Sequence, residues 1–273
     1  MPDLDALRAR LRELDRVVVA FSGGADSAFL AFVANEVLVE RALAVTAVSP
    51  SLAPEEEADC KELAEEWGLH WRPVFTDELA NPAYAMNDGE RCFHCKTELL
   101  DAIGPLAVDA GATVVLGVNV DDLGDHRPGQ RAAAERGAVF PLVDAGFTKA
   151  DVRAASKALG LRTWDKPAAA CLSSRVAYGV EVSPFRLARV ERAEAAVRAA
   201  LAHAGIDVRD LRVRDLGDRA RLEVDAAAVP AVRAAPEVLD AVRGAGFDDA
   251  DLDPAGFRSG SMNELLAEPE RYR

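Results

Sequence analysis

The apolar run Val17-Val18-Val19-Ala20-Phe21 leads straight into Ser22-Gly23-Gly24-Ala25-Asp26-Ser27 and then into a helical pattern. A strand without polar alternation reads as buried on both faces, which suits a parallel sheet covered by helices. The alternation continues. Ala28–Arg41 reads as a helix, Ala42–Ser49 as a strand, and Pro54–Trp67 as a helix with acidic residues early, where the helix dipole favours them. His70–Thr76 and Thr113–Asn119 read as further strands, and Lys149–Leu159 as a helix closed by Gly160. Strands alternating with helices imply crossover connections and a doubly wound, mostly parallel α/β sheet. Ligands of such sheets bind beyond the carboxyl ends of the strands.

The texture changes near Trp164. Trp164–Arg175 has no period and reads as an interdomain loop. Pro184–Ala204 reads as an amphipathic helix. Leu211–Arg214 and Arg221–Val224 read as strands around a Leu216-Gly217-Asp218 turn. Ala226–Gly244 is helical but interrupted by Pro230 and Pro236. The expected organisation is a large α/β domain over 1–165 and a smaller α+β domain over 166–273.

Half of the 273 residues are hydrophobic, as in an ordinary globular chain, and the formal charge is −14. So negative a surface repels phosphate backbones, which argues against nucleic acid as a partner. A local cluster of arginines can still hold a small anion. No apolar run approaches bilayer length, and Met1–Arg16 lacks the apolar core of a secretory signal. A soluble, cytoplasmic protein is expected. Its cysteines, Cys60, Cys92, Cys95 and Cys171, are then not expected to form a disulfide framework.

Four segments carry candidate chemistry. In Ser22–Ser27, two glycines let the backbone approach a phosphate, and a helix N-terminus behind them favours an anion. No Walker lysine follows. The loop suits holding pyrophosphate while the α-phosphorus of ATP is attacked, with Asp26 on Mg2+. The plainer reading is a strand-to-helix turn capped by Asp26 and Ser27. In Asn119–Gly129, Asp121, Asp122, Asp125, His126 and Arg127 suit ribose, metal or substrate binding, and equally a charged surface loop. Arg91-Cys92-Phe93-His94-Cys95-Lys96 could hold a metal, contact a substrate anion or begin a helix. In Ala169–Arg175, Cys171 is a candidate nucleophile with Arg175 or Lys166 as the nearby cation; the alternative is a buried small hydrophobe.

Ser22–Ser27 resembles the loop of the PP-loop ATP pyrophosphatase superfamily. Taken with Asn119–Gly129, Trp164-Asp165-Lys166-Pro167, Ala170–Arg175, Tyr178-Gly179 and Gly256–Ser261, the chain resembles the LarE family from about Leu11 to Asn263. That resemblance implies an ATP-dependent sulfur transferase in biosynthesis of the nickel-pincer nucleotide cofactor of lactate racemase. The implied substrate is a pyridinium dicarboxylate mononucleotide derived from nicotinic acid adenine dinucleotide. ATP and Mg2+ are implied at Ser22, Gly23, Gly24, Asp26, Ser27, Asn119 and Asp122, and Cys171 as a sacrificial sulfur donor that becomes dehydroalanine. Ser174, Arg175, Arg212, Arg214 and Arg258 are the implied substrate contacts, with Arg212 and Arg214 on one face of a strand. Glu194 and Glu223 are candidates for a metal or a base, as is Glu191, although a solvated helix face accounts equally for Glu191 and Glu194. A homo-oligomer, hexameric by resemblance, is expected. Two alternatives stay open: an amide-forming ligase similar to NAD synthetase, and sulfur transfer through an iron–sulfur cluster on Cys92, Cys95 and Cys171.

Overall fold

The computed structural model describes residues 3–124, 128–167, 170–258 and 261–262. The chain forms two compact units. Among the described residues, the first comprises 3–78, 92–124 and 128–167, and the second 79–91, 170–258 and 261–262.

The first unit is built on a four-stranded parallel sheet of β1 (Val17–Ala20), β2 (Ala42–Val48), β3 (Trp71–Phe75) and β4 (Thr113–Leu116), in the order β3-β2-β1-β4. β1 is central, and its side chains alternate between two cores. Val17 and Val19 pack with Leu7, Leu11, Phe29, Leu30, Leu63 and Val152 from the helices Leu4–Leu14, Ala25–Leu38, Pro54–Trp67 and Lys149–Ala158. Val18 and Ala20 pack on the other face with Leu99, Leu100, Ile103 and Ala133 from Arg91–Ala110 and Pro128–Glu135. The expected α/β sheet covered on both faces is therefore present. Its strand order reverses at β1, since the chain leaves toward β2 and β3 and later returns to β1's other edge as β4. A ligand crevice is expected beyond the carboxyl ends of β1 and β4.

Element ends differ from the sequence reading for local reasons. The helix read as Ala28–Arg41 runs from Ala25 to Leu38, where Val39 takes φ 52° and the chain continues as a 3-10 turn. The strand read as Thr113–Asn119 ends at Leu116, because Gly117 leaves it and Asn119 starts an Asx turn by accepting the Asp121 N–H at 3.0 Å.

The second unit has a three-stranded sheet in which β5 (Leu211–Asp215) and β6 (Arg219–Val224) are antiparallel and β7 (Asp249–Leu252) is parallel to β6. The helices Pro184–His203 and Pro236–Gly244 pack on it and on each other. One face is apolar, with Leu211, Val213, Leu222 and Val224 buried. On the other, Arg212 lies opposite Glu223, and Arg214 opposite Arg221. The helical stretch Ala226–Gly244 is broken as its prolines require, into Val229–Arg233 and Pro236–Gly244. Among the described residues no helix is long and apolar enough to cross a membrane.

Candidate functional site

In the first unit, the loop after β1 is shaped by its glycines. Gly23 has φ +68°, and a Cβ there would lie 2.9 Å from Cys60 Sγ. Gly24 is the N-cap of Ala25–Leu38, so the first N–H groups of that helix point out of the loop without intrahelical partners. The serines hold the turn closed. Ser22 N–H donates to Ser27 Oγ at 3.2 Å, the two hydroxyls are 3.0 Å apart, and Ser27 Oγ donates to Gly24 O at 3.1 Å.

The loop after β4 meets it. A Cβ on Gly117 would lie 2.7 Å from Ser27 N and 2.8 Å from the Asp26 carbonyl carbon. Only glycine permits that approach. Lys149 ties both loops together: its ammonium pairs with Asp26, and its backbone N–H donates to Asp121 Oδ2 at 2.8 Å. Asp122 Oδ2 accepts the Asn119 N–H at 3.1 Å.

Two buried polar atoms are left over at this edge, Asp26 Oδ1 and Asn119 Nδ2, both without a hydrogen-bond partner among the described residues. Such atoms cost stability unless a ligand takes them up. An acceptor and a donor left over beside an anion-binding helix end suit a cation and a nucleotide. Asp26 therefore fits a magnesium ion. Among the described residues no three His, Cys, Asp or Glu side chains group as a metal site. A metal at Asp26 would thus share its remaining positions with phosphate and water.

Lys166, from the Trp164–Pro167 segment, lies 3.7 Å from the Cβ position of Gly23 and donates to Glu56 and Asp59 at 2.7 and 2.6 Å. Burial pulls its pKa down, but bonds to the two carboxylates outweigh it and the ammonium is held charged. Cys60 is fully buried, and burial pushes its thiol up to about 11 despite a hydrogen bond with Thr46. It has the character of a packing residue.

In the second unit, the half-buried Cys171 precedes the 3-10 turn Leu172–Arg175. Its carbonyl oxygen accepts from Ser174 N at 3.0 Å, Ser174 Oγ at 2.7 Å and Arg175 Nη1 at 3.0 Å. Arg175 also donates to Ala170 O, and its Nε meets Glu194 Oε1 at 3.0 Å in a buried ion pair. Glu194 Oε1 accepts from Val213 N–H as well, at 3.1 Å. Arg214 Nη2 pairs with Glu223 at 2.6 Å, and its Nη1 reaches Ser174 O at 3.3 Å; Ser261 Oγ donates to Glu223 at 2.8 Å.

The structure thus gathers Cys171, Ser174, Arg175, Arg214, Glu194 and Glu223 around one turn. It also engages both glutamates with buried arginines. Arg212 stacks 5.4 Å over Phe257 and donates to Leu211 O at 2.7 Å. Burial, with Arg175 and Arg214 close by, pulls its guanidinium down to about 10. Three arginines beside two glutamates favour a bound anion. Arg258 is exposed on the segment after Gly256. Asp125, His126, Arg127, Ala168, Ala169, Ser259 and Gly260 lie outside the described residues.

The sequence reading missed what holds the Cys171 turn in place. Tyr84 OH and Ser173 Oγ are 2.6 Å apart, and Arg91 donates to Ser173 O at 2.9 Å. Asn87 Nδ2 donates to the carbonyls of Val176, Ala177 and Val180 at 3.3, 2.8 and 2.8 Å. Arg91 also lies 5.2 Å from the Tyr178 ring. Only a local sign was available, an asparagine in a turn; its partners are about 90 residues away. Cys92 is exposed and Cys95 half-buried at the start of Arg91–Ala110, and neither forms a disulfide.

Residues 5–91 match the NAD synthase family. An uncharacterized protein of Synechocystis sp. is 42% identical over 267 residues, covering 96% of this chain and 97% of the relative. The pyridinium-3,5-bisthiocarboxylic acid mononucleotide synthase of Lactiplantibacillus plantarum is 33% identical over 267 residues, covering 97% of this chain and 95% of the relative. An uncharacterized protein of Methanocaldococcus jannaschii is 24% identical over 245 residues, 89% of this chain and 91% of the relative.

Proposed function

This chain belongs to the LarE family of sulfur-transferring synthases, and from that membership we propose that it converts a carboxylate of a pyridinium dicarboxylate mononucleotide into a thiocarboxylate, at the expense of ATP. The product class is the thiocarboxylated nucleotide of nickel-pincer cofactor biosynthesis. The reading is carried by the facing loops after β1 and β4, where the orphaned Asp26 Oδ1 and Asn119 Nδ2 lie at the switch point of the sheet.

A carboxylate resists sulfur because its charge is delocalised and it lacks a good leaving group. Attack on the α-phosphorus of ATP makes AMP that leaving group. The N–H groups following Gly24, with the hydroxyls of Ser22 and Ser27, receive the departing pyrophosphate. A magnesium ion at Asp26 would neutralise phosphate charge. Asn119 and Asp122 orient the nucleotide, and Lys149 balances Asp26 until ATP arrives. Arg212, Arg214 and Arg258 hold the substrate's phosphate. Cys171 displaces AMP as the thiolate and forms a thioester. Loss of its Cα proton then expels the thiocarboxylate and leaves dehydroalanine at position 171, so each chain supplies one sulfur. Glu194 and Glu223 act by holding Arg175 and Arg214. The protein works as a homo-oligomer without nucleic acid.

The test is a Cys171→Ala variant incubated with ATP and the pyridinium acid. It is expected to release pyrophosphate and AMP but to form no thiocarboxylate. Full thiocarboxylate formation by this variant refutes Cys171 as donor and, because Cys171 is also one of the three cluster cysteines, points to an external sulfur source; an amide formed from ammonia instead returns the ligase reading.

A further inference from the structure

The Cys171 carbonyl oxygen has two lone pairs and three donors: Ser174 N–H, Ser174 Oγ–H and the Arg175 guanidinium, at 3.0, 2.7 and 3.0 Å. A neutral peptide carbonyl rarely needs so many, and one of these donors is a cation. Arg175 is 5% exposed and is locked by Glu194, itself fixed by the Val213 N–H. Arg175 Nη1 has two hydrogens and three acceptors in reach, Ala170 O, Cys171 O and Ser174 Oγ, so the hydroxyl at 3.3 Å shares a guanidinium hydrogen with the carbonyl it donates to. From the other side, Arg91 and Tyr84 fix Ser173. The donors are therefore preorganised, whereas Cys171 itself is half-buried and reachable.

We infer that Ser174 and Arg175 form an oxyanion hole for the Cys171 carbonyl and catalyse the elimination step, an inference that rests on the sacrificial-cysteine reading. In that step a base from solvent takes the Cα proton. The electron pair of the Cα–H bond passes into the Cα–C(O) unit, giving an enolate whose negative charge sits on the Cys171 oxygen. The pair then returns to form the Cα=Cβ bond as the Cβ–S bond breaks, and the thiocarboxylate leaves with the sulfur and its electrons. No oxidant or reductant is needed. The peptide α-proton is otherwise far too weak an acid, and charge develops where the three donors point. Donors aimed at developing charge each contribute roughly 10²–10³ in rate. Ser174 and Arg175 are thus catalytic residues of the donor's own backbone.

The inference is tested without ATP or substrate. The full chain is treated with a thiol-selective nitroaryl reagent, and elimination of the aryl thiolate at alkaline pH is followed by absorbance. Dehydroalanine is located by peptide mass, with exposed Cys92 as internal reference. Position 171 is expected to eliminate at least about 100-fold faster than position 92, and the two rates should converge in urea. Ser174→Ala is expected to remove most of that advantage and Ser174→Thr to restore it, circular dichroism confirming that both fold. Equal rates at 171 and 92 in the native chain, or an advantage that survives urea, overturns the inference. If position 171 eliminates quickly here but no dehydroalanine forms with ATP and the pyridinium acid, the functional reading fails and the oxyanion hole stands.

Discussion

Replacing Gly117 by alanine tests how the two loops of the proposed ATP site depend on each other. The added Cβ would sit 2.7 Å from Ser27 N and 2.8 Å from both the Asp26 carbonyl carbon and Ser27 Cα. Ordinary contact starts near about 3.5 Å, so backbone must give way by roughly 0.8 Å. These are main-chain atoms at the start of a helix, with no flexible side chain to absorb the shift. Overpacking of this kind costs about 1–3 kcal/mol, a fall of several degrees in melting temperature for a domain this size. The same shift misplaces the N–H groups that would grip phosphate, and misplacement by ~1 Å can cost ~10²-fold. ATP affinity measured by calorimetry is therefore expected to fall about 10- to 100-fold. Gly104→Ala is the control, since beyond its chain neighbours its Cβ meets nothing within 4 Å in the helix Arg91–Ala110; it should leave ATP affinity unchanged, and Pro105 behind it withholds the usual gain in helix stability. Gly117→Ala binding ATP within twofold of the native chain would refute the reasoning, because the loops would then be independent.

Three other outcomes follow from the geometry. Cys60, raised to about 11 from 9.0, binds its proton more tightly folded than unfolded. Its contribution to stability is complete below pH 9 and is lost as pH rises toward 11, so urea midpoints should decline there, less steeply in Cys60→Ala, while iodoacetamide at pH 8 labels Cys92 and spares Cys60. Glu194→Ala leaves Arg175 buried without its carboxylate and should cost about 3–5 kcal/mol in urea unfolding; a loss below about 1 kcal/mol would mean the pair is solvated. Asn87→Ala removes three donations to carbonyls of 176–180 and should speed proteolysis of that segment before it lowers ATP affinity.

What the sequence made legible was whatever depends on near neighbours. The buried run Val17–Ala20, the glycine loop and the proline breaks near 230 and 236 all announce themselves locally. β7 does not: Asp-Ala-Asp-Leu has poor strand propensity and becomes a strand by pairing with β6, helped by the Arg221–Asp251 ion pair at 3.1 Å. Lys149 is 123 residues from Asp26, and no spacing rule could join them. Residues 79–91 fold with the second unit, where Tyr84, Asn87 and Arg91 bond to the Cys171 turn and the segment after it, about 90 residues further along the chain. Glu194 and Glu223 illustrate the reverse case. As residue types they suit a metal or a base, and the fold gives each a buried arginine. Arg212 and Arg214 share a sheet face as the period-two reading expects, but only the structure reveals that Arg175 lies close enough to act on Arg212.

The most direct measurement is the mass of the protein before and after one turnover with ATP, Mg2+ and the pyridinium acid, followed by peptide mapping. The expected result is loss of the elements of hydrogen sulfide at Cys171, one per thiocarboxylate formed, with Cys60, Cys92 and Cys95 unchanged. Product in several-fold excess over a chain of unaltered mass would contradict Cys171 as the sulfur source.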